Sequence, residues 1–287
     1  MARAAHRLED NAPGALFVDD SCIDCDLCRQ LAPRTFGRAH GQSIVERQPV
    51  EPGERRRAAV ALVSCPTASI GGAAKADVSG AIDALPEPLG GGVYFCGFAS
   101  ERSFGASSYL IRRPGGNVLV DSPRAAEPLL RRLEALGGVR LLFLTHRDDV
   151  ADHERLRRRF GCERVMHAAD VTAGTRGVER QLEGDAPVPL AEDLLAIPVP
   201  GHTRGSQALL WNGTLFTGDH LWGGDAGDGL EASRSVCWYS WAAQLRSIER
   251  LLAHDFARVL PGHGRRLERP DAASMRAELR ALLQRSR

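Results

Sequence analysis

"LTHRDDVADH", residues 144 to 153, decides how the larger part of this chain is read. The apolar run RLLFLT at 140 to 145 leads straight into two histidines and three aspartates, with no room for a helix between strand and packet. A charged turn would need nothing more from the chain, whereas a metal site needs ligands from elsewhere. Three further packets follow apolar strands: His202 in PVPGHTRGS, Asp219 in LFTGDH and His263 in VLPGHG. Loops at strand ends can converge on one point while the sheet holds them rigid. One such histidine is more often an ordinary core or surface residue. Four packets, three of them flanked by glycine that lets backbone approach a crowded site, point to a metal centre.

Bulk properties narrow the function classes. The chain has 287 residues, 43% of them hydrophobic, enough for two domains that bury a core. Lys plus Arg number 37 against 36 Asp plus Glu, so the net charge of +1 offers no global field for nucleic acid or anionic membrane. A small-molecule substrate is the expected partner. The charge run RLRRRF at 155 to 160 reads as a solvated helix face. No apolar stretch approaches the roughly 20 residues that span a bilayer, and MARAAHRLEDNAPG lacks the apolar segment of a signal peptide. A cytoplasmic protein is expected. In that compartment thiols stay reduced, so seven cysteines with clustered spacing point to metal or redox chemistry before disulfides.

"SCIDCDLCRQLAP" sets Cys22, Cys25 and Cys28 three apart, and "SCPTASI" adds Cys65 followed by Pro66. Three thiolates on one loop with a remote fourth can bind an iron–sulfur cube, whereas zinc is more often held by two separated CxxC pairs. The stretch resembles the single-cluster bacterial ferredoxins over about residues 14 to 75. The resemblance implies one 4Fe-4S cluster, and Ala32 and Pro33 stand where a cysteine of a second cluster would follow. Around it, ALFV and SIV read as strands and ERRRAAVALVSC as a helix leading into Cys65. The bland alternative is that the cluster only staples a domain with a small core.

Residues 71 to 92 are rich in Gly, Ala and Pro, which predicts a ferredoxin-like domain at 1–75, a linker at 76–92 and a second domain at 93–287. In the second domain VYFCGF, SSYLI, NVLVD, RLLFLT, ALLW, GTLFTGD and ARVLPGHG read as strands, with helices near 128–137 and 241–253. Strands in hairpin order followed by alternating strand and helix argue a layered α+β architecture, sheets inside and helices outside.

From about residue 93 to 268 the order HRDDVADH, GHT, TGD, PGHG resembles the metallo-β-lactamase-fold superfamily, and the resemblance implies an αββα sandwich. It further implies that His146 and His202 hold a first metal, that Asp152, His153 and His263 hold a second, and that Asp219 bridges both. The pattern departs where the family's second histidine should stand: this chain has Asp148 there, and Asp149 is a rival ligand. Carboxylate in place of imidazole favours iron or manganese relative to zinc, although zinc also accepts it. Flavodiiron proteins of the same superfamily carry a carboxylate at this place and bind two irons.

Two chemistries compete. In hydrolysis, two divalent ions (zinc, iron or manganese) activate a shared water, with Asp152 or Asp148 handling the proton. In a flavodiiron-like redox reaction, two irons receive electrons from the fused cluster, which gives the cluster a task and implies a redox partner protein. A third reading is an iron–sulfur electron carrier or sensor without enzymatic activity. Class frequency puts hydrolysis first, thioester hydrolysis of the glyoxalase type included. His167, His220 and Cys237 stand near these motifs; packing is the favoured role for Cys237, and His6, His40 and His254 read as surface.

Overall fold

The computed structural model describes residues 1–225, 227 and 229–286. They group into two compact units, one of residues 1–140 with 151–161, the other of 141–150 with the described residues from 162 to 286.

In the first unit, Phe17–Val18 pairs antiparallel with Ile70–Gly71, and Phe36–Ala39 with Gln42–Val45. The helix Pro52–Ser64 starts on a reciprocal Glu51/Glu54 capping box with proline in its first turn, where a missing N–H costs nothing. Its Ala58, Ala59, Val60, Ala61 and Val63 are buried, and the helix ends at Cys65. The stretch expected to be a linker is instead ordered structure. Lys75–Ala84 is a helix with Ala81 buried, and Glu87–Gly90 pairs antiparallel with Val93–Phe95. Its alanines, read as linker composition, are strong helix formers. Tyr109–Ile111 and Val118–Val120 extend this antiparallel meander.

The second unit places the metal-site candidates. Leu141–Phe143 runs parallel to Glu163–His167, which runs parallel to Arg180–Leu182. A second sheet runs in the order Val188–Ala191, Leu194–Pro198, Gln207–Trp211, Thr214–Gly218, Arg258–Pro261, Leu267–Glu268. Every neighbouring pair in it is antiparallel except Thr214–Gly218 with Arg258–Pro261. Parallel strands finish at the same edge, so Asp219 and His263 leave the sheet side by side, their loops joined by Gly262 N–H donating to Gly218 O at 2.9 Å. Behind this sheet the helices Trp241–Leu251 and Ala272–Ser286 bury Ile248, Leu251, Met275 and Leu279 with Ile197, Leu215 and Val259. Each such aliphatic side chain contributes about 1.5–3 kcal/mol by leaving water, which holds the sheet edge still.

Candidate metal centre

His146 follows the end of Leu141–Phe143 by three residues. The strand's course is prolonged by Leu144 N–H donating to Val165 O at 2.9 Å, and Thr145 O accepts Gln207 N–H at 2.8 Å. Gln207 Nε2 donates to Leu144 O at 2.9 Å, so the approach to His146 is tied to the strand Glu163–His167 and to the six-stranded sheet alike. Gly218, at φ +51°, lies against the same turn; a Cβ there would sit 2.4 Å from Thr145 Oγ1. His202 lies in the hairpin between Leu194–Pro198 and Gln207–Trp211, closed by Val199 N–H to Ser206 O at 2.8 Å.

Both histidines are oriented through Nδ1. His146 Nδ1 is 2.9 Å from Thr145 Oγ1, and His202 Nδ1 donates to Val236 O at 2.5 Å. That leaves Nε2 of each ring as a buried atom with no hydrogen-bond partner. The rings stand edge to face with centroids 4.8 Å apart. Into the space before them come two carboxylates: Asp219 Oδ2 at 3.6 Å from His146 Nε2 and 3.8 Å from His202 Nε2, and Asp148 Oδ2 at 3.9 and 3.6 Å. Two buried imidazole lone pairs facing two carboxylates, each too far for a hydrogen bond, form a donor set that suits a divalent cation.

Two overlapping groups have donor atoms within 4.8 Å of one another: His146, Asp148, His202 and His146, Asp149, Asp219. Asp149 is 1% exposed, and Asp219 accepts His263 Nδ1 at 2.8 and 2.9 Å. A Cβ on Gly262 would lie 2.8 Å from Asp149 Oδ2 and 2.9 Å from Asp219 Oδ1, so the glycine is what lets the PGHG loop approach both carboxylates. The family pattern put Asp152, His153 and His263 with the second metal, but none of the three belongs to either group among the described residues; His263 meets the second group through its contact with Asp219. Asp152 instead accepts Ala125 N–H at 2.9 Å and pairs with Arg102 at 3.3 Å and Arg155 at 3.5 Å, while His153 is buried at the start of the helix His153–Phe160.

The electrostatics follow from burial and proximity. Burial holds the His146 pKa below the ordinary imidazole value. Burial acts on His202 too, but Asp148 and Asp219 outweigh it and its pKa is raised. Burial alone would push Asp219 up; His263, His146 and His202 together bring it well below the usual carboxylate range. Asp148, about half exposed, is lowered by His202 first and His146 next.

Sequence reading missed one residue of consequence. Asp170, in the turn Ala168–Asp170 after Glu163–His167, is 1% exposed. It accepts Arg147 N–H at 3.1 Å, Thr203 Oγ1–H at 2.5 Å and Gly205 N–H at 2.7 Å. Nothing in HAAD marks such a hub, because its partners lie 23 to 35 residues away. Cys237 is half-buried, its thiol donating to Gly201 O at 3.1 Å and its pKa raised by burial. His220 is buried with both ring nitrogens without a hydrogen-bond partner, and burial first, then the neighbouring His202, pushes its pKa down to about 3. His254, read as surface, is half-buried.

In the first unit Cys22, Cys25, Cys28 and Cys65 line one small cavity with Val18, Leu27 and Ile70. Ser43 N–H lies 3.4 Å from Cys22 Sγ, Ser69 N–H 3.4 Å from Cys65 Sγ and Asp24 N–H 3.5 Å from Cys22 Sγ, donors that stabilise sulfur carrying negative charge. Burial pushes the Cys25 thiol up to about 12 and raises Cys28 as well, so a bound metal would have to favour the thiolate forms. Gly105, at φ +87°, touches this cage: a Cβ there would lie 2.7 Å from Cys25 Sγ. Four convergent thiols in an apolar cage fit a 4Fe-4S cluster.

Comparison with known proteins agrees on both regions. Residues 18–72 match the 4Fe-4S single cluster domain of ferredoxin I, and residues 102–263 match the metallo-beta-lactamase superfamily. The chain belongs to the metallo-beta-lactamase superfamily. The chain is thus a two-domain α+β protein, with a ferredoxin-like region preceding the metallo-β-lactamase fold. It is 34% identical over 184 residues to a hydroxyacylglutathione hydrolase of Anaeromyxobacter dehalogenans, covering 60% of this chain and 69% of that one. A hydroxyacylglutathione hydrolase of Fuscovulum blasticum is 37% identical over 135 residues, 44% of this chain and 51% of that one. Family and relatives together place the chain among metal-dependent hydrolases. The metallo-beta-lactamase FIM-1 from Pseudomonas aeruginosa, in its mono-zinc form, superposes with a TM-score of 0.51 at 16% identity, covering 69% of this chain and 94% of that one. At that identity the likeness concerns the fold. No helix among the described residues is long and apolar enough to cross a membrane.

Proposed function

We propose that this protein hydrolyses a small-molecule thioester at a two-metal centre. The observation that carries the reading is the pair of orphaned Nε2 atoms of His146 and His202 facing Asp148 and Asp219. These four residues would hold one ion, and Asp149, Asp219 and His263 a second. Divalent ions in such a site lower the pKa of bound water and polarise the carbonyl of the substrate. The chain's own contribution is orientation and proton handling. Thr145 and the Val236 carbonyl orient the two rings so that Nε2 faces inward, and the carbonyl, which can only accept, also sets the His202 tautomer. Asp148, ionised and about half exposed, would turn Oδ2 to the ion and use its other oxygen to take a proton and release it to solvent. Asp152, occupied by Ala125 and Arg102, is assigned a positioning role instead. The relatives named hydroxyacylglutathione hydrolase support a thioester of a small thiol carrier as substrate.

The test is thiol release from a hydroxyacylglutathione thioester by the chain loaded separately with zinc, iron and manganese. Expected are turnover with at least one ion, its loss on chelation, and at least a hundredfold loss in His202→Ala. No thiol release with any of the three ions sinks the reading.

A second reading rests on a different observation: three carboxylates (Asp148, Asp149, Asp219) stand among the imidazoles of the centre, and a cluster domain is fused to the same chain. Oxygen donors favour iron, and a pair of irons could draw electrons from the cluster, itself reduced by a partner protein. Protein purified without oxygen would then hold roughly six irons per chain, four of them in the cluster. Four irons and two zincs would decide against it.

A further inference from the structure

Sharing the His202 loop with the metal centre, the second unit has a cavity of about 720 Å³ that none of the proposed ligands lines. That is the size of a pocket for a drug-sized or cofactor-sized molecule. Three arginines line it. Arg246 and Arg250 stand four apart on the helix Trp241–Leu251 and so share a face, while Arg204 comes from the His202 hairpin, two residues past the histidine. None of the three forms an ion pair among the described residues; Arg250 donates to Ser247 Oγ at 3.2 Å. Two acidic residues, Asp185 and Glu249, also line the cavity, which leaves guanidinium in excess.

The walls of this cavity and the His202 loop are one structure. Tyr239 lines the cavity while its N–H donates to His202 O at 3.0 Å and Gly201 O at 3.3 Å, and Pro200 lines it from just before the same loop. A molecule held here is therefore held against the backbone that carries a proposed metal ligand. From this we infer that the cavity is an anion-binding subsite, in which Arg204, Arg246 and Arg250 grip the negatively charged end of the substrate's thiol carrier. The inference rests on the hydrolytic reading above for its substrate and on the cavity for its place. Planar guanidinium forks match either a carboxylate or a phosphate bidentately. The shared chemistry is an oxyanion remote from the thioester, and its source is either a peptide carrier such as glutathione or a phosphorylated one.

Binding without turnover separates these possibilities. The metal-loaded full chain is titrated calorimetrically, in buffer free of phosphate and carboxylate, with S-methylglutathione, adenosine 3′,5′-bisphosphate and inorganic phosphate. At least one of the two organic probes should bind, and Arg204→Gln and Arg246→Gln should each weaken it roughly tenfold. Arg131→Gln, an exposed arginine of the other unit, should leave it unchanged. Tighter binding of S-methylglutathione identifies a peptide carrier, and tighter binding of the bisphosphate a phosphorylated one. Either result supports the subsite. If neither organic probe binds, or if the Arg204 and Arg246 variants bind as the parent does, the inference is overturned. Since the substituted side chains are exposed, circular dichroism should show the fold retained. Arginine-dependent binding without thioester turnover would remove the proposed reaction and leave the subsite; turnover without arginine dependence would do the reverse.

Discussion

Asp170 accepts the Thr203 hydroxyl at 2.5 Å and, through the same carboxylate oxygen, the Arg147 N–H at 3.1 Å. One buried acid thus fastens the turn bearing His146 and Asp148 to the hairpin bearing His202, though it belongs to neither. Such partners behind ligating residues typically matter 10- to 100-fold in metal affinity. Asp170→Asn keeps the shape and one acceptor oxygen but turns the other into a donor that faces N–H groups. The expected result is roughly tenfold weaker metal binding in competition with a chromophoric chelator, with thermal stability lowered by about 1–3 kcal/mol. Unchanged metal affinity would confine Asp170 to a structural role.

Asp149 and Asp152 can be told apart by metal content. Asp149 shares a donor group with His146 and Asp219, whereas Asp152 is held by Ala125 N–H and Arg102. Asp149→Ala should lower the metal stoichiometry at the proposed centre from two towards one, and Asp152→Ala should leave it at two, both read by elemental analysis after gel filtration. The reverse pattern would restore the ligand set that the family motif implies.

Two glycines are expected to resist substitution for steric reasons. Gly262→Ala would force a Cβ within 2.8 Å of Asp149 Oδ2 and 2.9 Å of Asp219 Oδ1, both inside ordinary contact distance. The loop must shift, and metal should be lost while the iron–sulfur absorbance persists. Gly105→Ala, with its Cβ 2.7 Å from Cys25 Sγ and at φ +87°, should show the opposite: faster bleaching of the cluster with the metal centre intact.

Protons compete with metal for His202. Its pKa is raised above the ordinary imidazole value of about 6.5, whereas that of His146 is lowered. A raised pKa means that the proton is still bound as pH rises past the usual imidazole range, so metal affinity should climb with pH through and beyond that range and then level off. In the metal-free chain the sign inverts: the protonated His202 contributes stability at low pH that is lost as pH rises through its folded pKa. Zinc titrations across that range check the first statement. A flat profile would exclude His202 as a ligand.

Leu279 is fully buried in the core behind the second sheet. Leu279→Ala should cost about 2–5 kcal/mol by denaturant unfolding monitored in the tryptophan signal. Since that sheet edge carries Asp219 and His263, weakened metal binding should accompany the loss.

Much of the site could be read from residue order alone. Cys22, Cys25, Cys28 and Cys65 declare their partnership through spacing, because thiolates three apart on one loop face one point. His146, His202, Asp219 and His263 declare theirs because each follows an apolar strand, and strand ends share an edge. What order could not settle was which of three neighbouring aspartates turns inward. Asp148, Asp149 and Asp152 lie within five positions of one another, and their directions depend on the backbone between Leu144 and the helix at His153, which is set by the contacts of Thr145, Arg147 and Ala125 with distant segments. The helix at 75–84 was hidden for a related reason: small residues carry little periodic signal, and the burial of Ala81 becomes visible only once the neighbouring helix is in place. Local chemistry, in short, is written in residue type and spacing. Convergence of remote groups, as at Asp170 or among Arg204, Arg246 and Arg250, exists only after folding, since nothing in a linear chain encodes the distance between segments that meet through packing.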